Sequence, residues 1–184
     1  MSGITAEQAF VVLREAELLC PPEQVEAALD RLAAAIAAEL EGRDPLVLVV
    51  MNGAFVTAAR LLSRLQFPLR VGYLHATRYR SGTRGGEIDW IARPRPAVAG
   101  QVVLVVDDIF DEGDTLHAIL GEIRQQGATA VYSAVLVDKR HDRKVSGLTV
   151  DFVGLEVPDR YVFGCGMDYK EYWRNLPAIY AARE

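Results

Sequence analysis

The sequence is poor in several features that would direct a reading elsewhere. It has two cysteines, Cys20 and Cys165, too few and too scattered for a disulfide framework or a cysteine-rich metal site. No G-x-x-x-x-G-K-[ST] segment occurs, so the phosphate cradle of a P-loop nucleotide hydrolase is missing. No apolar run approaches the roughly 20 residues of a membrane-spanning helix, and no membrane association is expected. The first residues, MSGITAEQAF, have neither a basic region nor an apolar core, so a secretory signal is not expected either. A reducing, cytoplasmic setting is the expected one. Basic charge is also scarce: the net charge is −5, which argues against a general nucleic-acid binder.

What remains is the profile of a soluble globular protein, 51% hydrophobic and 24% charged over 184 residues. That length suits a single domain with a proper core. Residues 4–40 read as helical, with Thr5 and Gln8 as a capping box and Pro21-Pro22 as a break. In the second helix Val25, Leu29, Leu32 and Ile36 recur at helical spacing. Leu46 to Met51 reads as a strand buried on both faces, ended by Asn52-Gly53, and Ala54 to Leu65 as a helix. The alternation of Leu69, Val71, Tyr73 and His75 predicts a half-exposed strand within 67–79. Residues 78–90, RYRSGTRGGEIDW, read as a polar loop at the tip of a hairpin and a lid over a neighbouring site. Arg93-Pro94-Arg95-Pro96 reads as a stiff connector. Two more strands are expected at Val131–Val137 and Val150–Leu155. The strand–helix alternation predicts an α/β fold, with a mostly parallel twisted sheet flanked by helices.

The densest chemistry lies in VVLVVDDIFDEGDTL, Val102 to Leu116. An apolar strand runs into Asp107, Asp108 and Asp111, then through Gly113 to Thr115 at the start of a helical pattern. Ligands of open α/β sheets bind at the carboxyl ends of strands. A glycine turn at a helix start offers backbone N–H groups to a phosphate. Adjacent carboxylates suit sugar hydroxyls or a hard cation. The stretch therefore predicts a site for a phosphorylated sugar with a divalent metal. Lys139 falls at the end of another strand and the Gly53 turn at the end of a third, and both are expected to converge on it.

DDIFDEGDTL resembles the phosphoribosyl-pyrophosphate (PRPP) signature of type I phosphoribosyltransferases. VMNGAFVTAARL, VDKR at Val137–Arg140 and the C-terminal DFVGLEVPDRYVFGCGMDYKEYWRNLP are similar to the pyrophosphate loop, purine-facing lysine and purine-binding hood of the hypoxanthine-guanine enzymes. The resemblance implies one domain over 1–184, with a core of about 42–148 and a hood of about 1–41 and 149–184. It implies transfer of ribose 5-phosphate from PRPP to hypoxanthine or guanine, giving IMP or GMP and pyrophosphate, with Mg²⁺ as cofactor. Asp107 and Asp108 are then expected at the ribose hydroxyls and a Mg²⁺ shell, and Asp168 at a second Mg²⁺. Asp111 is the expected general base toward the purine N7. Residues Asp111, Glu112, Gly113, Asp114 and Thr115 would cradle the 5′-phosphate, with the Glu112 and Asp114 carboxylates turned to solvent.

Asn52, Gly53 and Arg174 would meet the pyrophosphate; many relatives carry lysine or arginine where Asn52 stands, often after a cis peptide. Lys139, Tyr161 and Val162 would meet the purine, with Lys139 on the 6-oxo oxygen selecting against adenine. Tyr79 and Ser81 belong to the lid, where Arg78 replaces the usual serine. The partners implied are PRPP, a 6-oxopurine and further copies of the chain, as a homodimer or homotetramer. Two alternatives stay open: preference for xanthine, and a PRPP-sensing regulator that keeps the fold without the chemistry.

Overall fold

The computed structural model describes residues 3–78 and 88–183. Its centre is a six-stranded sheet in the order β4-β3-β2-β5-β6-β7. The strands are β2 (Leu46–Val50), β3 (Arg70–Arg78), β4 (Ile88–Arg95), β5 (Val102–Phe110), β6 (Ala130–Arg140) and β7 (Phe152–Pro158). All neighbours run parallel except β4, which returns antiparallel along β3 as a hairpin arm. The five residues of β2, LVLVV, are buried throughout, as a strand covered on both faces requires.

Among the described residues four helices accompany the sheets: α1 (Ala6–Glu15), α2 (Pro22–Leu40), α3 (Ala54–Leu62) and α4 (Asp114–Gln125). α3 packs on β2 and β5, α4 on β6 and β3, and α2 on β7 and α3. The capping box is present, with Gln8 N–H donating to Thr5 Oγ1 and Thr5 N–H to Gln8 Oε1. A second, three-stranded antiparallel sheet joins β1 (Glu17–Cys20), β9 (Ile179–Ala181) and β8 (Val162–Phe163). α1 is tied to this part by Trp173, whose indole N–H donates to the Ala9 carbonyl at 2.9 Å and whose ring meets Phe10 edge-on at 5.2 Å. None of the helices is long and apolar enough to cross a membrane, among the described residues.

Two expectations need correction. Residues 17–20 form β1, not helix, because they pair with β9 from the far end of the chain, a partner that local periodicity does not reveal. The segment Arg93–Arg95 continues β4, since an edge strand tolerates Pro94. Val25, Leu29, Leu32, Ile36 and Leu40 of α2 lie in one buried cluster with residues of β2, β5 and the small sheet, so a single core runs through both sheets.

Candidate active site

The order of the large sheet reverses beside β2: α3 carries the chain to β3 on one side, and β5 then pairs on the other. At such a switch point the connections diverge and leave a crevice at the carboxyl ends of the strands. Here a cleft of about 910 Å³ opens, lined by Met51 and Gly53 after β2, by Asp107 to Leu116 except Phe110, and by Asp168, Glu171 and Arg174 from the C-terminal segment. Gly113 is the N-cap of α4 with φ 86°, and a Cβ there would lie 2.1 Å from the Phe110 ring. Glycine is thus required for the turn that brings the first N–H groups of α4 to the cleft. A Cβ on Gly53 would lie 2.2 Å from Asp108 Oδ2, so the loop after β2 sits directly against the β5 acids.

Asp108 is 8% exposed, and its N–H donates to Asp107 Oδ1 at 2.9 Å. Burial, and for Asp107 the adjacent Asp108 charge, push the Asp107 carboxyl well above the usual range. Burial also raises Asp108. Such a pair is poorly compensated by protein alone. Among the described lining residues carboxylates predominate, and Arg174 is the facing cation. A polyanionic ligand would need an added divalent cation to sit here, and oxygen ligands suit Mg²⁺. Asp168 lines the same cleft, bound to Arg174 at 2.6 Å and accepting the Glu171 N–H at 2.7 Å.

A smaller pocket of about 250 Å³ adjoins the cleft, lined by Asp108, Ile109, Asp111, Lys139, Tyr161, Val162, Met167 and Asp168. Parallel pairing of β5 with β6 sets Phe110 opposite Asp138, which brings Lys139 to the residue after Phe110. Lys139 is 9% exposed and its Nζ lies 2.7 Å from Asp111 Oδ2. His141 Nε2 lies 2.8 Å from the other oxygen, Oδ1. Burial raises the Asp111 carboxyl, but the hydrogen bonds from Lys139 and His141, with the Lys139 charge, outweigh it and hold the group below its ordinary range. A buried lysine neutralised by one carboxylate can be released to an oxygen of a bound ligand, provided the ligand supplies an equivalent acceptor.

The phosphoribosyl transferase domain family matches residues 21–171. The hypoxanthine-guanine phosphoribosyltransferase of Bacillus subtilis is 32% identical over 164 residues, 89% of this chain and 91% of that protein. The chain belongs to the hypoxanthine-guanine phosphoribosyltransferase family. A solved hypoxanthine phosphoribosyltransferase from Staphylococcus aureus superposes with a TM-score of 0.88 at 25% identity, covering 94% of this chain and 95% of that one. The bifunctional protein TilS/HprT of Listeria innocua is 35% identical over 89% of this chain, which spans only 25% of that longer protein.

Against the residues expected from the family, Asp107, Asp108, Asp111, Glu112, Gly113, Asp114, Thr115, Gly53, Asp168 and Arg174 meet around the cleft. Lys139, Tyr161 and Val162 meet in the adjoining pocket. Met51–Asn52 is a cis peptide. Asn52 itself is exposed, while its neighbours Met51 and Gly53 line the cleft. Glu112 is exposed as expected, whereas Asp114 is half-buried at the start of α4. Tyr79 and Ser81 lie outside the described residues. His141 was not among the expected residues. The available signal was its spacing: Lys139 and His141 are two apart at the end of an extended strand, so they face the same way.

Proposed function

We propose that the chain transfers ribose 5-phosphate from PRPP to hypoxanthine or guanine, releasing pyrophosphate and giving IMP or GMP for purine salvage. The observation that carries this reading is the Lys139–Asp111 pair, 2.7 Å apart at the junction of the small pocket and the phosphate-type turn. A 6-oxopurine offers that pair an acceptor for the lysine and a ring proton for the carboxylate. Adenine offers a 6-amino donor instead and leaves the buried ammonium unpaired, a mismatch of the kind that gives strong discrimination.

In this reading purine N9 bonds to C1′ of the sugar as the C1′–oxygen bond to pyrophosphate breaks. The purine then gives its N7 proton to Asp111 Oδ2, while Lys139 donates to the 6-oxo oxygen. The amides of Glu112 to Thr115 hold the 5′-phosphate at the α4 N-terminus. Tyr161, 51% exposed at the pocket edge, covers the base, and Val162 meets its edge through backbone groups. Asp107 and Asp108 accept from the ribose hydroxyls and would hold Mg²⁺, with Asp168 at a second ion. Mg²⁺ would supply charge neutralisation for the pyrophosphate, beside Arg174 and the Gly53 turn. Self-association as a homodimer or homotetramer belongs to the same reading. It is supported by exposed Phe55, Val71 and Tyr73 around one apolar groove.

The test is a base panel. Purified protein with PRPP and Mg²⁺ is given hypoxanthine, guanine, xanthine or adenine, and nucleoside monophosphates are separated by chromatography. Product from hypoxanthine and guanine and little from adenine is expected. No product from either of the first two would refute the proposal, and a xanthine product exceeding both would reassign the base.

A further inference from the structure

Asp111 is held at both oxygens by different groups. Lys139 occupies Oδ2 at 2.7 Å and His141 faces Oδ1 at 2.8 Å. The His141 side chain is 3% exposed. Its other ring nitrogen, Nδ1, accepts the Arg143 backbone N–H at 3.1 Å. A nitrogen that accepts carries no hydrogen, so the network assigns the ring hydrogen to Nε2 and makes His141 a neutral donor to Asp111. The support behind the ring is itself anchored. The Arg143 guanidinium holds both oxygens of Asp159 at 2.7 and 3.0 Å. The segment also docks on the phosphate turn, with Val145 N–H donating to the Glu112 carbonyl at 2.8 Å and Lys144 lying 4.5 Å above the Phe110 ring.

We propose that His141 is a positioning residue for the transfer reaction: it keeps the Asp111 carboxylate aimed at the purine when Lys139 leaves it for the 6-oxo oxygen. This rests on the function proposed above. The two donors differ in a way that fits this division. Lys139 is long and charged, and its hydrogen bond to Asp111 competes with the base. His141 is buried, short and fixed from behind, so Oδ1 stays held while Oδ2 is freed. A neutral donor orients the carboxylate without the full charge that would weaken it as a base.

The same three groups, Asp111, His141 and Asp159, bring ligand atoms within 4.8 Å of one another, a spacing a metal could span. Their chemistry speaks against one. Lys139 and Arg143 already neutralise the two carboxylates, and both ring nitrogens are engaged, Nδ1 by the Arg143 N–H and Nε2 by its own hydrogen toward Asp111.

The test compares His141→Phe, which fills the ring volume without a donor, with His141→Gln, whose amide N–H can reach the Nε2 position. PRPP affinity is measured by titration calorimetry, and kcat and the pH dependence of kcat/KM with hypoxanthine as the varied base. The groups facing the ring and its partner are Lys139, Asp111, Arg143 and Asp159. His141→Phe is expected to lower kcat by about 10-fold or more, the worth of a hydrogen bond to a charged group, and to leave PRPP affinity within about 2-fold. Losing a donor to the ionised carboxylate raises its pKa, so the acid limb of kcat/KM should move to higher pH. His141→Gln should recover most of kcat. The proposal is overturned if His141→Phe keeps wild-type kcat and acid limb. It is equally overturned if both variants lose kcat and PRPP binding together, the signature of a packing role. Wild-type protein that forms no nucleotide would instead refute the underlying function.

Discussion

Lys139 and Asp111 neutralise each other in the resting site, so neither is spent until a ligand separates them. This makes Asp111→Asn informative. An amide cannot take the purine proton, and kcat should fall about 10²–10⁴-fold, the usual worth of a general base. PRPP affinity by calorimetry should change little. A variant with unimpaired turnover would remove Asp111 from the chemistry, and a wild type that binds PRPP without turnover would be the sensor, not the enzyme. At this scale the sequence was most informative where charge follows an apolar strand, because ligands of open α/β sheets bind at the carboxyl ends of the strands. Asp107, Asp108, Asp111 and Lys139 were legible for that reason. His141 was not, since its role depends on which residue the neighbouring strand sets opposite.

Between elements, the C-terminal segment is locked to α3 and α2 by side chains that no local pattern announces. Thr57 Oγ1 donates to the Cys165 carbonyl at 2.9 Å, and Arg60 reaches Cys165 Sγ and the Pro177 carbonyl. Arg60 and Arg64 also clasp Glu26 of α2. Hydrogen bonds from Arg60 and then Arg64 hold the Glu26 carboxyl below its ordinary value of 4.5. A depressed folded-state pKa gives stability that is present above the unfolded value and lost as pH falls through the folded one. Glu26 is half exposed, so its contribution is about 0.5 kcal/mol. Glu26→Gln should lower Tm by about 1–2 °C near neutrality, with the difference vanishing as the pH drops below 4.5. An equal deficit at low pH, in calorimetric melts across that range, would contradict the pairing. The helices and central strands were readable because their periods are local. β1 and the small sheet were not, because β1 pairs across almost the whole chain.

For the whole molecule, the reversal of strand order between β3 and β5 creates the crevice, and the acidic balance of the chain decides what can fill it. PRPP is itself a polyanion, so its binding should require the cation. With Mg²⁺ and PRPP at about 100 times Kd, the gain is about 2.7 kcal/mol, or a Tm rise of about 5–10 °C. PRPP with a chelator should give a much smaller rise. Equal stabilisation with and without Mg²⁺ would show that Asp107 and Asp108 do not act through a metal.

The central claim is that a purine nucleotide takes Lys139 from Asp111 while its phosphate sits at the start of α4. A crystal structure with GMP and Mg²⁺ tests it most directly. The account predicts Lys139 Nζ on the purine 6-oxo oxygen, Asp111 Oδ2 at N7 with His141 still on Oδ1, and the phosphate on the amides of Glu112 to Thr115. A nucleotide bound with Lys139 still paired to Asp111, or with its phosphate away from that turn, would contradict it.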